Sequence, residues 1–176
     1  MARWASLAAP MSVRFAQLAT SLGPMLAAWT DAGVAALERG DELEPFLAAL
    51  RRRFRNAPME PAQPPPNLVR QLDDYAAGRR RRLSLEIDVT GVSPFDVRVY
   101  AATRAIPYGE TATYGEIAAR VDAAGAARAV GGAMARCPFS PVVPCHRVVR
   151  AADGFSGWGG DLSDKRRLLD LERSTS

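Results

Sequence analysis

Three prolines, Pro138, Pro141 and Pro144, fall within residues 138–144. Each fixes its own φ and lacks a backbone N–H, so no helix runs through this stretch. The chain must therefore change from a helical pattern before it to something stiff and non-helical within it. The residues that follow, Val142 to Val149, form a mostly apolar run that reads as extended. Inside that run lie Cys145, one of two cysteines, and His146, the only histidine of the 176 residues. A cysteine among apolar residues commonly serves as a small inert hydrophobe. As a thiolate it is a nucleophile, which needs a base, a cation or a helix dipole nearby. Both readings stand on these residues alone. Neighbours on a strand point to opposite faces. Cys145 and His146 therefore cooperate only if Pro144 distorts the backbone or a water bridges them. Glu172, at the end of a helix read over Lys165–Glu172, is the carboxylate chosen to orient the imidazole.

The totals set the class. A chain of this length makes one domain or two small ones, and 48% apolar residues suffice for a core. The formal charge of +4 fits either a mildly basic surface or an anionic partner. Arginine supplies nearly all the positive charge, and Lys165 is the only lysine. Two cysteines give at most one disulfide, and a single Cys-His pair without Cys-x-x-Cys cannot assemble a four-ligand zinc site. No stretch approaches the 18 apolar residues of a membrane span. Residues 1–11 are too short and weakly apolar for a signal peptide, so a reducing cytoplasm is the simplest compartment.

Residues 13–20 and 23–40 read as a β-meander anchored by Phe15, Leu18, Met25, Leu26, Trp29, Val34 and Leu37, with Thr30–Gly33 as turn chemistry. Glu42 to Phe54 reads as a helix with Leu43, Phe46, Leu47, Leu50 and Phe54 on one face, ending in arginines that suit the negative dipole end. Ala57 to Pro66 holds five prolines and reads as a loop. Asn67 is expected to cap a short helix closed by Gly78. Arg79 to Arg82 reads as a solvated charge run or a phosphate contact. Leu83 to Val89 alternates as a half-buried strand, and a domain boundary is placed after it.

The second half is richer in helix signals. Ser93-Pro94-Phe95-Asp96 is a helix start, with Phe95, Val99, Ala102 and Ile106 as its buried stripe. Thr113-Tyr114-Gly115-Glu116 is a capping box opening a helix over Tyr114–Val121. A turn over 122–125 leads to a third helix, Ala126–Arg136, which completes a helix-turn-helix. That third helix is nearly bare except for Arg128, and Gly131 and Gly132 cost it about 1 kcal/mol each relative to alanine. Its bareness serves either tight internal packing or close approach to a partner. It lacks the long polar side chains that read the major groove, so a minor-groove contact with Arg128 as probe fits better. The stretch Asp153–Gly160 is an ordinary surface loop or a wrap over a planar ligand, with Phe155 or Trp158 stacking.

The runs Ile106-Pro107-Tyr108-Gly109-Glu110-Thr111-Ala112-Thr113-Tyr114-Gly115-Glu116-Ile117-Ala118, Ala127-Arg128-Ala129-Val130-Gly131-Gly132-Ala133-Met134 and Pro144-Cys145-His146-Arg147-Val148, continued by Lys165, Leu168, Leu169 and Glu172, resemble the O6-alkylguanine-DNA alkyltransferases. The resemblance covers roughly the second half. It implies an α/β (α+β) fold. A small sheet-and-helix part, 1–90, would be mainly structural, and a mostly helical part, 91–176, would bind DNA and accept the alkyl group. It implies irreversible transfer from O6-alkylguanine, and O4-alkylthymine, to Cys145. His146 would act through a water, Glu172 would hold it, and Tyr114 would contact the purine. Thr113, Tyr114, Ala127, Arg128, Ala129 and Gly131 would meet double-stranded DNA containing O6-alkylguanine, with Arg128 filling the space of the flipped base. Met134, Val148 and Lys165 would line the substrate pocket, with either Phe155 and Ser156 or, counting back from Lys165, Trp158 and Gly159 at the substrate-contact positions of the loop. It implies a monomer with no cofactor and no metal. Two rivals stand beside it: a non-catalytic lesion binder, and a Cys145-His146-Glu172 thiol hydrolase. Family members usually carry Asn where Cys137 stands, which leaves the turn before the cysteine either looser or braced by backbone groups.

Overall fold

The computed structural model describes residues 12–55, 57–152, 154–155 and 162–175. The meander is present as β1 (Val13–Thr20), β2 (Gly23–Thr30) and β3 (Gly33–Arg39), antiparallel in turn. Helix α1 (Leu43–Arg53) buries Phe46, Leu47 and Leu50. With Phe54, Val13, Leu26, Ala28 and Ala36 they form one apolar cluster on one face of the sheet. Phe15, expected as a buried anchor, is only half-buried and packs at the border of that cluster. The other face, with Leu18, Met25, Trp29, Val34 and Leu37, packs on Leu68, Leu72 and Tyr75 and also on Val142 and Leu168. The two halves of the sequence therefore share a core.

Three expectations for the first half are corrected. The proline-rich segment is not all loop: Met59–Pro61 forms β4, parallel to β1, giving the sheet order β3-β2-β1-β4. Proline is tolerated there because β4 is an edge strand. Helix α2 (Pro66–Ala76) starts from Pro65, and Asn67 lies inside it, its side chain accepting from Arg70 and Gln71 rather than capping. Pro66 at the first helical position loses nothing by lacking an N–H. Leu83–Val89 does alternate, with Leu83 and Leu85 buried, but it pairs with the sheet at one bridge only, Val34 to Ile87. A Cβ on Gly33 would lie 2.5 Å from the Glu86 carbonyl oxygen, so glycine is what lets this segment approach β3. At Asp88 the alternation reverses. Its buried carboxylate accepts from Thr30 Oγ1 at 2.5 Å and from Thr90 N at 2.8 Å.

The second half follows its capping signals. Ser93 Oγ accepts from Asp96 N at 3.0 Å and opens α3 (Pro94–Arg104). The capping box of Thr113 and Glu116 opens α4 (Tyr114–Arg120). The turn contains Asp122 at φ 56, and α5 (Ala127–Ala135) follows. Strands β5 (Ala112–Thr113) and β6 (Val148–Val149) pair in parallel beneath α4. The chain ends in α6 (Leu162–Ser174), which buries Lys165, Leu168, Leu169 and Glu172. This mixed sheet-and-helix arrangement agrees with the fold class read from the sequence.

Candidate active site

The run 142–149 is not extended throughout. Cys145–Arg147 forms one 3₁₀ turn, and only Val148–Val149 is strand. The physical reason is Pro144, whose carbonyl accepts from Arg147 N at 2.9 Å and closes the turn. A turn removes the opposite-face constraint that a strand would impose on Cys145 and His146. Upstream, Val143 N donates to the Phe139 carbonyl at 2.9 Å, and Leu37 N to the Pro138 carbonyl at 2.7 Å. Backbone groups therefore brace the segment after Cys137, and the sheet itself holds it.

His146 is fully buried, and its Nε2 lies 2.7 Å from Glu172 Oε1. Glu172 is the hub of the site. Its carboxylate accepts from Arg147 Nε at 2.9 Å and Nη2 at 2.8 Å, from Gly109 N at 2.9 Å and from the Tyr75 hydroxyl at 2.5 Å. Burial alone would raise its pKa, but hydrogen bonds from His146 and Arg147 prevail and hold it well below the usual carboxylate range. The ionised carboxylate only accepts, so Nε2 carries the imidazole proton. Burial lowers the His146 pKa from its ordinary 6.5, against the pull of Glu172. The ring is therefore neutral, with Nδ1 as its basic nitrogen. That atom is buried and has no hydrogen-bond partner among the described residues.

Cys145 is 1% exposed. Burial raises its thiol well above the ordinary 9.0, and the adjoining Cys137 thiol adds to this, while a backbone hydrogen bond and Lys165 oppose it. At rest the sulfur is therefore held as the thiol. Lys165 is buried and donates to the Val148 carbonyl at 2.7 Å. The Tyr114 hydroxyl is a second buried polar atom with no hydrogen-bond partner among the described residues. Burial, then Cys145, raises its pKa, so it stays a neutral donor.

The other sequence-chosen residues fall into two groups. Met134 and Val148 are buried beside Cys145 in one cluster, and half-buried Phe155 has Arg166 4.7 Å above its ring. Arg128 and Ala129 are exposed on α5, with Ala127, Gly131 and Thr113 half-buried nearby. Ser156, Trp158 and Gly159 lie outside the described residues. Sequence reasoning missed Tyr75, whose hydroxyl also lies 3.3 Å from His146 Nε2, and the clamping role of Arg147. Tyr75 sits on the buried face of an amphipathic helix, where an aromatic residue reads as core. Arg147 is in the quoted motif, and its place beside a carboxylate is the signal that was available. Among the described residues no cluster of His, Cys, Asp and Glu could hold a metal, and no helix is long and apolar enough to cross a membrane.

Residues 94–174 match the family model described as the DNA-binding domain of 6-O-methylguanine DNA methyltransferase. A methylated-DNA–protein-cysteine methyltransferase of Mycobacterium leprae is 50% identical over 105 residues, covering 60% of this chain and 63% of that protein. The matched stretch is thus under two thirds of the mycobacterial relative. The crystal structure of Mycobacterium tuberculosis OGT in complex with DNA superposes with a TM-score of 0.77 at 34% identity, covering 93% of this chain and 94% of that one. A Salmonella typhimurium protein of the same name as the leprosy-bacillus relative is 35% identical over 162 residues, 89% of this chain and 93% of its own. With likeness running through the sheet half as well as the Cys-His half, this chain belongs to the methylated-DNA–protein-cysteine methyltransferase family.

Proposed function

We propose that this protein repairs DNA by moving the alkyl group of O6-alkylguanine, and of O4-alkylthymine, onto its own Cys145, once per molecule. The observation that carries this is the Glu172–His146 pair at 2.7 Å, which leaves a neutral imidazole with a bare Nδ1 directly after a buried thiol. The Cys145 proton passes through a water to Nδ1. The sulfur attacks the alkyl carbon, the carbon–O6 bond breaks, and a thioether forms. Tyr114 gives the departing purine a proton through its unpaired hydroxyl and regains one from the imidazolium by way of water, so guanine leaves neutral and Tyr114 ends as the phenol. The imidazolium formed is stabilised by Glu172. Thr113, Tyr114, Ala127, Ala129 and Gly131 meet the minor groove, and exposed Arg128 enters the duplex where the base leaves it. Met134, Val148, Phe155 and Lys165 wall the pocket. Residues 1–90 are mainly structural and 91–176 carry DNA binding and alkyl acceptance, with Tyr75 reaching across. The protein works as a cytoplasmic monomer without cofactor.

Mixing the protein with duplex DNA carrying O6-methylguanine tests this. One methyl per protein is expected on the Cys145 peptide by mass spectrometry, with activity ending at one equivalent. Tight binding without an adduct would make it a lesion binder instead. Repeated ester hydrolysis without an adduct would make it a thiol hydrolase.

A further inference from the structure

The second cysteine is not remote from the first. Cys137 follows α5, and its N–H donates to the Met134 carbonyl at 3.2 Å. The chain then folds back through the Val143–Phe139 hydrogen bond, which returns Cys145 to the same apolar cluster that Cys137 borders. Cys137 packs against the cluster that holds Cys145, and its thiol adds to the rise in the Cys145 pKa. Neither cysteine is in a disulfide. Their surroundings differ: Cys145 is sealed, whereas Cys137 is part-exposed and lines a cavity of about 480 Å³. Leu37, Met134 and Pro138 also line this cavity, as do Arg39 and Asp164, paired at 2.9 Å. It gives a small polar oxidant a route to Cys137 that does not pass over Cys145.

We propose that Cys137 is an oxidation site whose product is a Cys137–Cys145 disulfide, formed by a peroxide and undone by a thiol. The Cys137 sulfur attacks one peroxide oxygen and the O–O bond breaks. Hydroxide leaves and takes up the Cys137 proton as water, and the sulfur becomes a sulfenic acid. The Cys145 sulfur then attacks the Cys137 sulfur. The S–O bond breaks, the S–S bond forms, and the second hydroxide leaves as water with the Cys145 proton. Two thiols lose two electrons in all, and hydrogen peroxide is reduced to two waters. The linked Cys145 has no free sulfur with which to accept an alkyl group. That last consequence rests on the function proposed above; the linkage itself does not.

Reduced protein is treated with equimolar hydrogen peroxide, free thiols are blocked, and a non-reducing digest is mapped by mass spectrometry. A peptide pair joined through Cys137 and Cys145, two hydrogens lighter than the separate peptides, is expected. Methyl acceptance should fall in step with it and return with dithiothreitol. Cys137→Ser should form no linked pair and recover no activity with dithiothreitol. Cys145→Ser, a second variant whose readout does not need methyl transfer, should accumulate a dimedone-reactive sulfenic acid on Cys137. Oxidation of wild type to a Cys145 sulfinic acid while Cys137 stays free would overturn the proposal, as would disulfides formed only between chains. If reduced protein accepts no methyl yet the linked pair forms, the functional reading fails and the oxidation site stands.

Discussion

At the residue scale, two buried groups make the protein acid-sensitive in a defined order. His146 has a folded pKa below its ordinary 6.5, so between those values the unfolded chain binds a proton that the native state refuses. Stability contributed by the neutral ring is full above pH 6.5 and declines as pH falls below it. Glu172, depressed from 4.5, adds a second decline below that value. Urea unfolding at pH 7.5 and pH 5.5 should show lower stability at the acidic pH, and His146→Gln should flatten the difference. An unchanged slope in the variant would remove His146 as its source. The set Cys145, His146 and Glu172 is legible in the sequence only through the motif around it, because spacing cannot say which carboxylate meets the imidazole. Tyr75 is not legible at all. Its partner lies 97 positions away, and its periodicity is that of any core aromatic residue.

At the scale of elements, α5 presents a backbone made bare at its own cost. A Cβ on Gly131 would lie 3.9 Å from the Tyr114 ring, an ordinary contact, so nothing nearby inside the protein demands glycine there. Gly131→Ala should therefore raise stability by about 1 kcal/mol in urea unfolding. With α5 docked in the minor groove as proposed above, the same methyl should weaken binding to duplex DNA in a titration, because it would stand between the helix and the groove. Equal affinity for both forms would return the bareness of α5 to internal packing. The capped helices of this half are readable because a cap is a local event: Ser93 with Asp96, and Thr113 with Glu116, declare their own ends. The parallel strand β4 and the 3₁₀ turn at Cys145 are not. One depends on an edge offered from elsewhere in the chain, and the other on a single proline overriding an apolar run that otherwise reads as strand.

At the scale of the whole molecule, Arg53 is a fastener. From the end of α1 its guanidinium donates to the Ala35 carbonyl at 2.6 Å, to the Thr90 carbonyl at 2.6 Å and to the Asp88 carbonyl. It also lies 4.7 Å over the Phe54 ring and 5.2 Å over Phe139, in the segment leading to Cys145. Arg53→Met keeps the apolar stem and strands those carbonyls. A loss of about 3 kcal/mol is expected in thermal or urea unfolding. A loss under about 0.5 kcal/mol would mean water replaces the guanidinium without penalty. Helix-end arginines read from sequence as dipole partners, and in Arg53 that local reading conceals a contact between distant segments.

The outer edge of β3 has its own significance. Ile87 and Phe139 each bridge to it, at Val34 and Leu37, while the opposite edge of the sheet is the short β4, ending in Pro61. Long, unguarded strand rims invite other chains to add themselves and grow into fibrils. Here one rim is occupied by the protein's own loops and the other is too brief and proline-marked to template a newcomer, so the fold carries its protection against self-assembly in the same segment that delivers its sulfur.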